Sequence, residues 1–292
     1  LFYKILFLPE RKNRLMKVKI ISDSASNMYS MSDVDFTSVP LRIVTNDKEY
    51  VDTPDLDVRA MVDELSVYKG RSGTACPGVG DYLDAFEGYA EIYCVTITSV
   101  LSGSYNAAMT AKQQYEEDHP NAKVFVLDSL SAGNEMKLHV EKIKELISEG
   151  KSFETICEEI TDYRDNHTTL LFCLESLHNL ANNGRVSPAV AKIAGLVGLR
   201  MVGDATGGKL NPTDKCRGEK KALSGILNLM TKHGYAGGKV IIDHCFNDAF
   251  ANTVKEALLK TYPDANIRFG KTYGLCSFYA EKGGLIIGFE KK

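Results

Sequence analysis

The chain has 292 residues, 44% of them apolar and 25% charged, which suits a soluble globular protein of about two domains. Its 35 lysines and arginines against 38 aspartates and glutamates leave a net charge of −3, and no basic stretch is long enough to track a phosphate backbone, so nucleic acid is not the expected partner. No apolar run approaches the roughly 20 residues of a membrane span, so no integral membrane segment is expected.

In chain order, LFYKILFLPERKNRLM comes first: an apolar octet, then a basic run. A secretory signal has those parts in the opposite order. Met16 directly precedes the first strand pattern and is read as the natural start, with residues 1–15 a non-native extension. VKIIS (18–22) is a strand ending in the turn-like DSAS, and SVPLRIV (38–44) is a second. Residues 57–67 form a helix capped by Asp57, with Val58, Met61, Val62 and Leu65 on one face. A helix over 80–90 leads to the strand EIYCVTIT (91–98), a helix over 102–117 and the strand KVFVLDS (123–129). Residues 133–149 are helical, with Gly150 at the stop, and residues 152–165 are helical behind the cap Ser152.

The second half opens on TTLLFCLES (168–176) and is less regular. A small-residue helix is expected over 189–196, a hairpin at ATGG, and a helix over 217–233. The strand GKVIID (238–243), a helix over 247–260 and the strands NIRFG (266–270) and LIIGF (285–289) follow. Strand–helix alternation of this kind predicts two α/β domains, 16–166 and 167–292, the first with a mainly parallel sheet flanked by helices. The seven cysteines are odd in number, scattered and without CxxC spacing, which indicates reduced, buried side chains in a cytoplasmic protein and no zinc site.

Ligands of parallel α/β sheets bind beyond the carboxyl ends of the strands. There the chain places Asp23, Ser24 and Ser26, then Ser99, Ser102, Gly103 and Ser104, then Asp128, Ser129 and Ser131. Such residues also cap helices, but three clusters on one edge point to a site. Ser102-Gly103-Ser104 opens a helix straight after a buried strand, which makes an anion-binding turn. The P-loop lysine and the GxSxG elbow are both missing, and the six histidines show no HExxH and no partner for a serine nucleophile. His244, after a strand, is the most placed of them. SGTACPGVG (72–80) offers Thr74 before a turn, and NNGRVSP (182–188) sets Arg185 between two helices, ready to pair an acidic group.

Together these residues resemble the DegV family of bacterial fatty-acid-binding proteins. The matching segments run in order: SDSASNM (22–28), SVPLRI (38–43), YVD (50–52), TACPG (74–78), LSGSYNAA (101–108), VLDS (126–129), NNGRVS (182–187), KCRGEKKA (215–222) and GGLIIGF (283–289). The resemblance implies a long-chain fatty acid such as palmitate between the domains, its carboxylate on Thr74, Ser102 and the Gly103 amide. Ser24, Ser99, Arg185 and Tyr279 would stand near it. It further implies a non-catalytic binding protein without cofactor or metal that presents its acid to a fatty acid kinase. Tyr279 falls where kinase-linked members carry a histidine, TSxPS reads TACPG, and LSGTY reads LSGSY. The alternative is an α/β hydrolase or transferase with Ser102 as nucleophile. A third is an interaction module docking through Lys215, Arg217, Lys220 and Lys221.

Overall fold

The computed structural model describes residues 17–187, 189–190 and 198–292. The expected extension 1–15 and most of the expected helix 189–196 lie outside the described residues.

The first sheet is β1 (Val18–Asp23), β2 (Asp35–Val39), β6 (Glu91–Thr96) and β7 (Lys123–Asp128), in the order β2-β1-β6-β7 and parallel throughout. β1, β6 and β7 are largely buried on both faces, as their continuous apolar runs require, whereas the edge strand β2 is partly exposed. Ile21, Ile92, Cys94 and Val126 pack under α2 (Val79–Phe86) and α3 (Ser104–Asp118). Ile20, Tyr93, Val95 and Leu127 pack under α4 (Asn134–Ser148) and α5 (Phe153–Asp162).

The expected single strand 38–44 is two strands in different sheets. Pro40 has no N–H to give a ladder, so the chain leaves β2 at Val39 and re-enters as β3 (Arg42–Thr45). β3 pairs antiparallel with β4 (Glu49–Val51) and β5 (Ser72–Ala75) in a small second sheet. Between β4 and β5 lies α1 (Val58–Val67), whose first turn Asp57 caps by accepting from Ala60 N at 2.9 Å. The helix read over 80–90 stops at Phe86, because Gly88 turns the chain at φ +83°. The helix read over 152–165 becomes a π-turn at Tyr163–His167.

The third sheet collects the remaining strands: β8 (Thr168–Leu174), β9 (Leu199–Asp204), β10 (Asn211–Arg217), β11 (Val240–His244), β12 (Ile267–Lys271) and β13 (Leu285–Glu290). Their order is β10-β9-β8-β13-β11-β12. Only β11 and β12 are parallel; the other pairs are antiparallel. The expected hairpin at ATGG joins β9 to β10. One face, with Leu171, Cys173, Val202, Ile242 and Ile287, packs under α7 (Glu219–Lys232) and α8 (Asp248–Thr261). The short helices α6 (His178–Asn182) and α9 (Gly274–Ala280) lie on the opposite face.

The two large sheets meet through α4. Asn134 at its start donates to the carbonyls of Ile241 (3.1 Å) and Ile286 (2.8 Å). β13 carries Gly288 there because a Cβ would stand 2.5–2.7 Å from the backbone of Asn134 and Glu135. A polar seam completes the junction. Asn27 donates to Asp243 Oδ2 (2.5 Å) and accepts from Tyr273 N (2.5 Å), and Lys137 pairs with the same carboxylate at 2.8 Å.

Candidate functional site

A cavity lies between the carboxyl ends of the first sheet's strands and the open face of the third sheet. It contains about 760 Å³ of atom-free space, part of it open to solvent. Ala25, Ile97, Leu101 and Ala132, all just beyond β1, β6 and β7, line one side. Leu170, Phe172 and Leu174 line the other, at alternate positions of β8. Their neighbours Leu171 and Cys173 point into the core on the far face. Helix α9 contributes Leu275, Cys276, Tyr279 and Ala280.

The lining also includes Thr74, Ser102, Arg185 and Tyr279, gathered from β5, the turn before α3, the end of α6 and α9. Thr74 Oγ1 and Tyr279 Oη are 2.7 Å apart and hydrogen-bonded. Arg185 holds the rim: its guanidinium donates to the carbonyls of Leu101 (Nε, 3.3 Å) and Asn183. Ser102 Oγ accepts from Ser104 N at 3.3 Å. Gly103 is the N-cap of α3, and a Cβ there would press on Cys76 Sγ at 3.2 Å. Burial raises the Tyr279 pKa above the ordinary phenol value, while the Thr74 hydrogen bond and the Arg185 charge act to lower it. At neutral pH it is an uncharged hydroxyl.

The other expected neighbours sit elsewhere. Ser24 is buried, with its hydroxyl accepting from Leu41 N at 3.0 Å. Ser99 is exposed and its amide donates to Asp128 Oδ1 at 3.1 Å. Neither is among the residues lining the cavity. His244 is buried beside Phe269, its Nδ1 accepting from Asn247 N.

Two buried carboxylates behind the cavity carry its walls. Asp23 accepts from Ser104 Oγ (2.6 Å), Ile97 N (2.9 Å) and Ala25 N (3.2 Å), fixing the turns that bear Ser102, Ile97 and Ala25. Burial pushes its pKa up to about 7, against the pull of these donors. Asp52 reaches across from the small sheet and accepts from Gly274 N (2.8 Å) and Leu275 N (2.9 Å), capping α9. Tyr29, stacked on Tyr273, donates to the same carboxylate at 2.5 Å. Sequence reasoning passed over Asp52 and Asn27 because their partners lie more than 200 positions away. It also passed over the lining of β8, because TTLLFCL is buried on both faces and carries no polar alternation.

Fold and site together define a class: an α/β binding protein whose cavity suits an apolar molecule with one polar, anion-like tip. Among the described residues no group of three His, Cys, Asp or Glu side chains stands ready to hold a metal ion, and no helix is long and apolar enough to cross a membrane. The family model described as "Uncharacterised protein, DegV family" matches residues 17–292, and the chain belongs to the DegV family. A DegV domain-containing protein of Streptococcus gordonii is 43% identical over 280 residues, covering 94% of this chain and 99% of the relative. Two crystal structures superpose with TM-scores of 0.92 at 43% identity. One is a DegV family protein from Eubacterium eligens loaded with heptadecanoic acid, covering 94% of this chain and all of the other. The second is the Streptococcus pneumoniae fatty acid kinase B3 protein loaded with linoleic acid, covering 95% and all of the other.

Proposed function

We propose that this protein binds a long-chain fatty acid without chemically altering it, and presents the carboxylate to a fatty acid kinase. The carboxylate rests on Thr74, Ser102 and the Gly103 amide, with Tyr279 behind Thr74 and Arg185 supplying positive charge. The tail lies in the cavity between two domains, 16–166 and 167–292. A cytoplasmic setting agrees with seven unpaired cysteines. The observation that carries the proposal is a mostly apolar cavity whose polar side chains include hydroxyls and one cation. A buried carboxylate without such partners would be very costly, and neutral donors alone orient it weakly.

Energetics divide the labour. Each buried methylene contributes about 0.8 kcal/mol, so a C16 tail supplies roughly 12 kcal/mol before ordering costs. The head-group contacts then choose carboxylate over other tips and fix its position. The kinase would transfer the terminal phosphoryl group of ATP to the presented carboxylate, giving an acyl phosphate and ADP.

Native mass spectrometry of the delipidated protein, offered palmitate, hexadecanol and ATP, tests this. Retention of palmitate well above hexadecanol, with no nucleotide bound, is the expected result. Equal retention of acid and alcohol, or a nucleotide in place of either, would overturn it. Addition of a fatty acid kinase and ATP should then yield acyl phosphate from the loaded protein.

A further inference from the structure

The wall that faces the first sheet contains one side chain whose position depends on a missing neighbour. Phe172 lies midway along β8, opposite Gly203 of β9 on one side and Ile286 of β13 on the other. Phe172 and Ile286 both line the cavity. A Cβ at Gly203 would stand 2.5 Å from Phe172 Cζ and 2.9 Å from its Cε2. The ring therefore reclines along the sheet, in the lane that an absent side chain leaves open. Glycine opposite an aromatic residue is a recurrent cross-strand pairing, since the ring covers the bare backbone. On the other side Ile286 packs into the room a second glycine leaves, its Cγ2 2.9 Å from where a Cβ on Gly133 would sit.

We infer that the Phe172–Gly203 pair sets the acyl-chain capacity of the cavity: Gly203 lets the ring lie flat, and the flat ring leaves room for a long chain rather than a medium one. This rests on the proposed fatty-acid-binding function and goes on to name what selects among fatty acids. Any side chain at position 203 would force the ring to stand into the cavity and occupy space the tail needs. Loss of the ring would deepen the cavity at that row. Neither Phe172 nor Gly203 takes part in the Thr74–Tyr279 hydrogen bond, so either change leaves both of its partners in place.

The experiment offers an equimolar mixture of saturated C10–C20 acids to the delipidated protein and reads the bound distribution by native mass spectrometry. Phe172→Ala should move the distribution toward longer chains by about two to four carbons, the room left by the ring. Gly203→Ala should move it toward shorter chains, and the double variant should lose that shortening because no ring remains to be displaced. A Cβ at 203 would also meet the Asn211 carbonyl at 2.3 Å, so Gly203→Ala strains the β9–β10 ladder as well. Phe172→Trp serves as the second enlarging variant and should likewise shorten the distribution. Folded, acid-loaded Phe172→Ala and Phe172→Trp proteins with the wild-type distribution would overturn the inference while leaving fatty-acid binding intact. A wild-type protein that takes up none of the series would overturn both.

Discussion

Thr74 and Tyr279 share one hydrogen bond, and that makes their contributions to binding unequal. Each hydroxyl has one proton to donate, and a carboxylate only accepts. The geometry admits either hydroxyl as donor; the phenol is the more acidic, and with Tyr279 donating to Thr74 the Thr74 proton is free for a bound carboxylate. Thr74→Val keeps the shape and removes that direct donor. A hydrogen bond to a charged group is worth about 1.5–3 kcal/mol, so affinity should fall by roughly 10- to 150-fold. Tyr279→Phe removes only the supporting bond, worth about 0.5–1 kcal/mol, and affinity should fall by roughly two- to fivefold. The double variant should be little worse than Thr74→Val alone, since the two groups act through one proton. Displacement of a fluorescent fatty acid by saturated C12–C18 acids measures all four proteins. In each of them, shortening by two carbons should cost about 1.6 kcal/mol, or close to 15-fold. A Tyr279→Phe loss as large as that of Thr74→Val, or a chain-length slope that changes between variants, would refute this division between tip and tail.

Stability should depend on pH through three buried groups. Burial raises the pKa of Asp23 and of Glu135 to about 7 and lowers that of His139 to about 3. The raised carboxyls stabilise the fold below their unfolded values, and that stability is lost as pH rises through about 7. The depressed histidine works oppositely: its stability is present above about 6.5 and lost as pH falls. Glu135→Gln keeps an acceptor for Thr168 Oγ1, now 2.8 Å from Glu135, and removes one titration. Urea unfolding between pH 5 and 6.5 should show the variant's slope more positive than wild type by about 1.4 kcal/mol per unit; equal slopes would contradict the assignment. Asp52→Ala strips the start of α9 of its acceptor and should destabilise by about 2–4 kcal/mol, with hydrogen exchange speeding first over residues 274–280. Exchange that quickens evenly over the chain would count against a local cap. Leu171→Ala, in the core under α7, should cost about 2–5 kcal/mol in stability and leave the acid bound at equal affinity below the unfolding transition. A comparable loss of affinity would mean the two faces of β8 are not independent.

Continuous apolar runs made β1, β6 and β7 plain in the sequence, because strands buried on both faces carry no polar alternation. The same property hid which side of β8 faces the cavity, so Phe172 and Leu174 were indistinguishable from Leu171 and Cys173. β4 and β5 are three and four residues long, and β10 reads NPTDKCR, a mostly exposed edge with no apolar signal. Helix α9 has no local cap to announce it; its acceptor, Asp52, is supplied by a distant part of the chain. Within the site, Thr74, Ser102 and Arg185 stood out as polar residues at turns, whereas the Thr74–Tyr279 bond spans 205 positions and became visible only through the fold.

The placement of β13 bears on how the molecule comes together. It lies in the middle of the third sheet, antiparallel to β8 on one side and β11 on the other, with Thr168 opposite Glu290. Until it is inserted, β10-β9-β8 and β11-β12 remain separate half-sheets, each with a bare edge. A ribosome still holding residues 285–290 in its exit tunnel therefore withholds the keystone, and this half can close only after synthesis has passed that point. Pairings of such long range make for slow assembly, and the waiting edges are the places where a chaperone would be expected to hold the nascent protein.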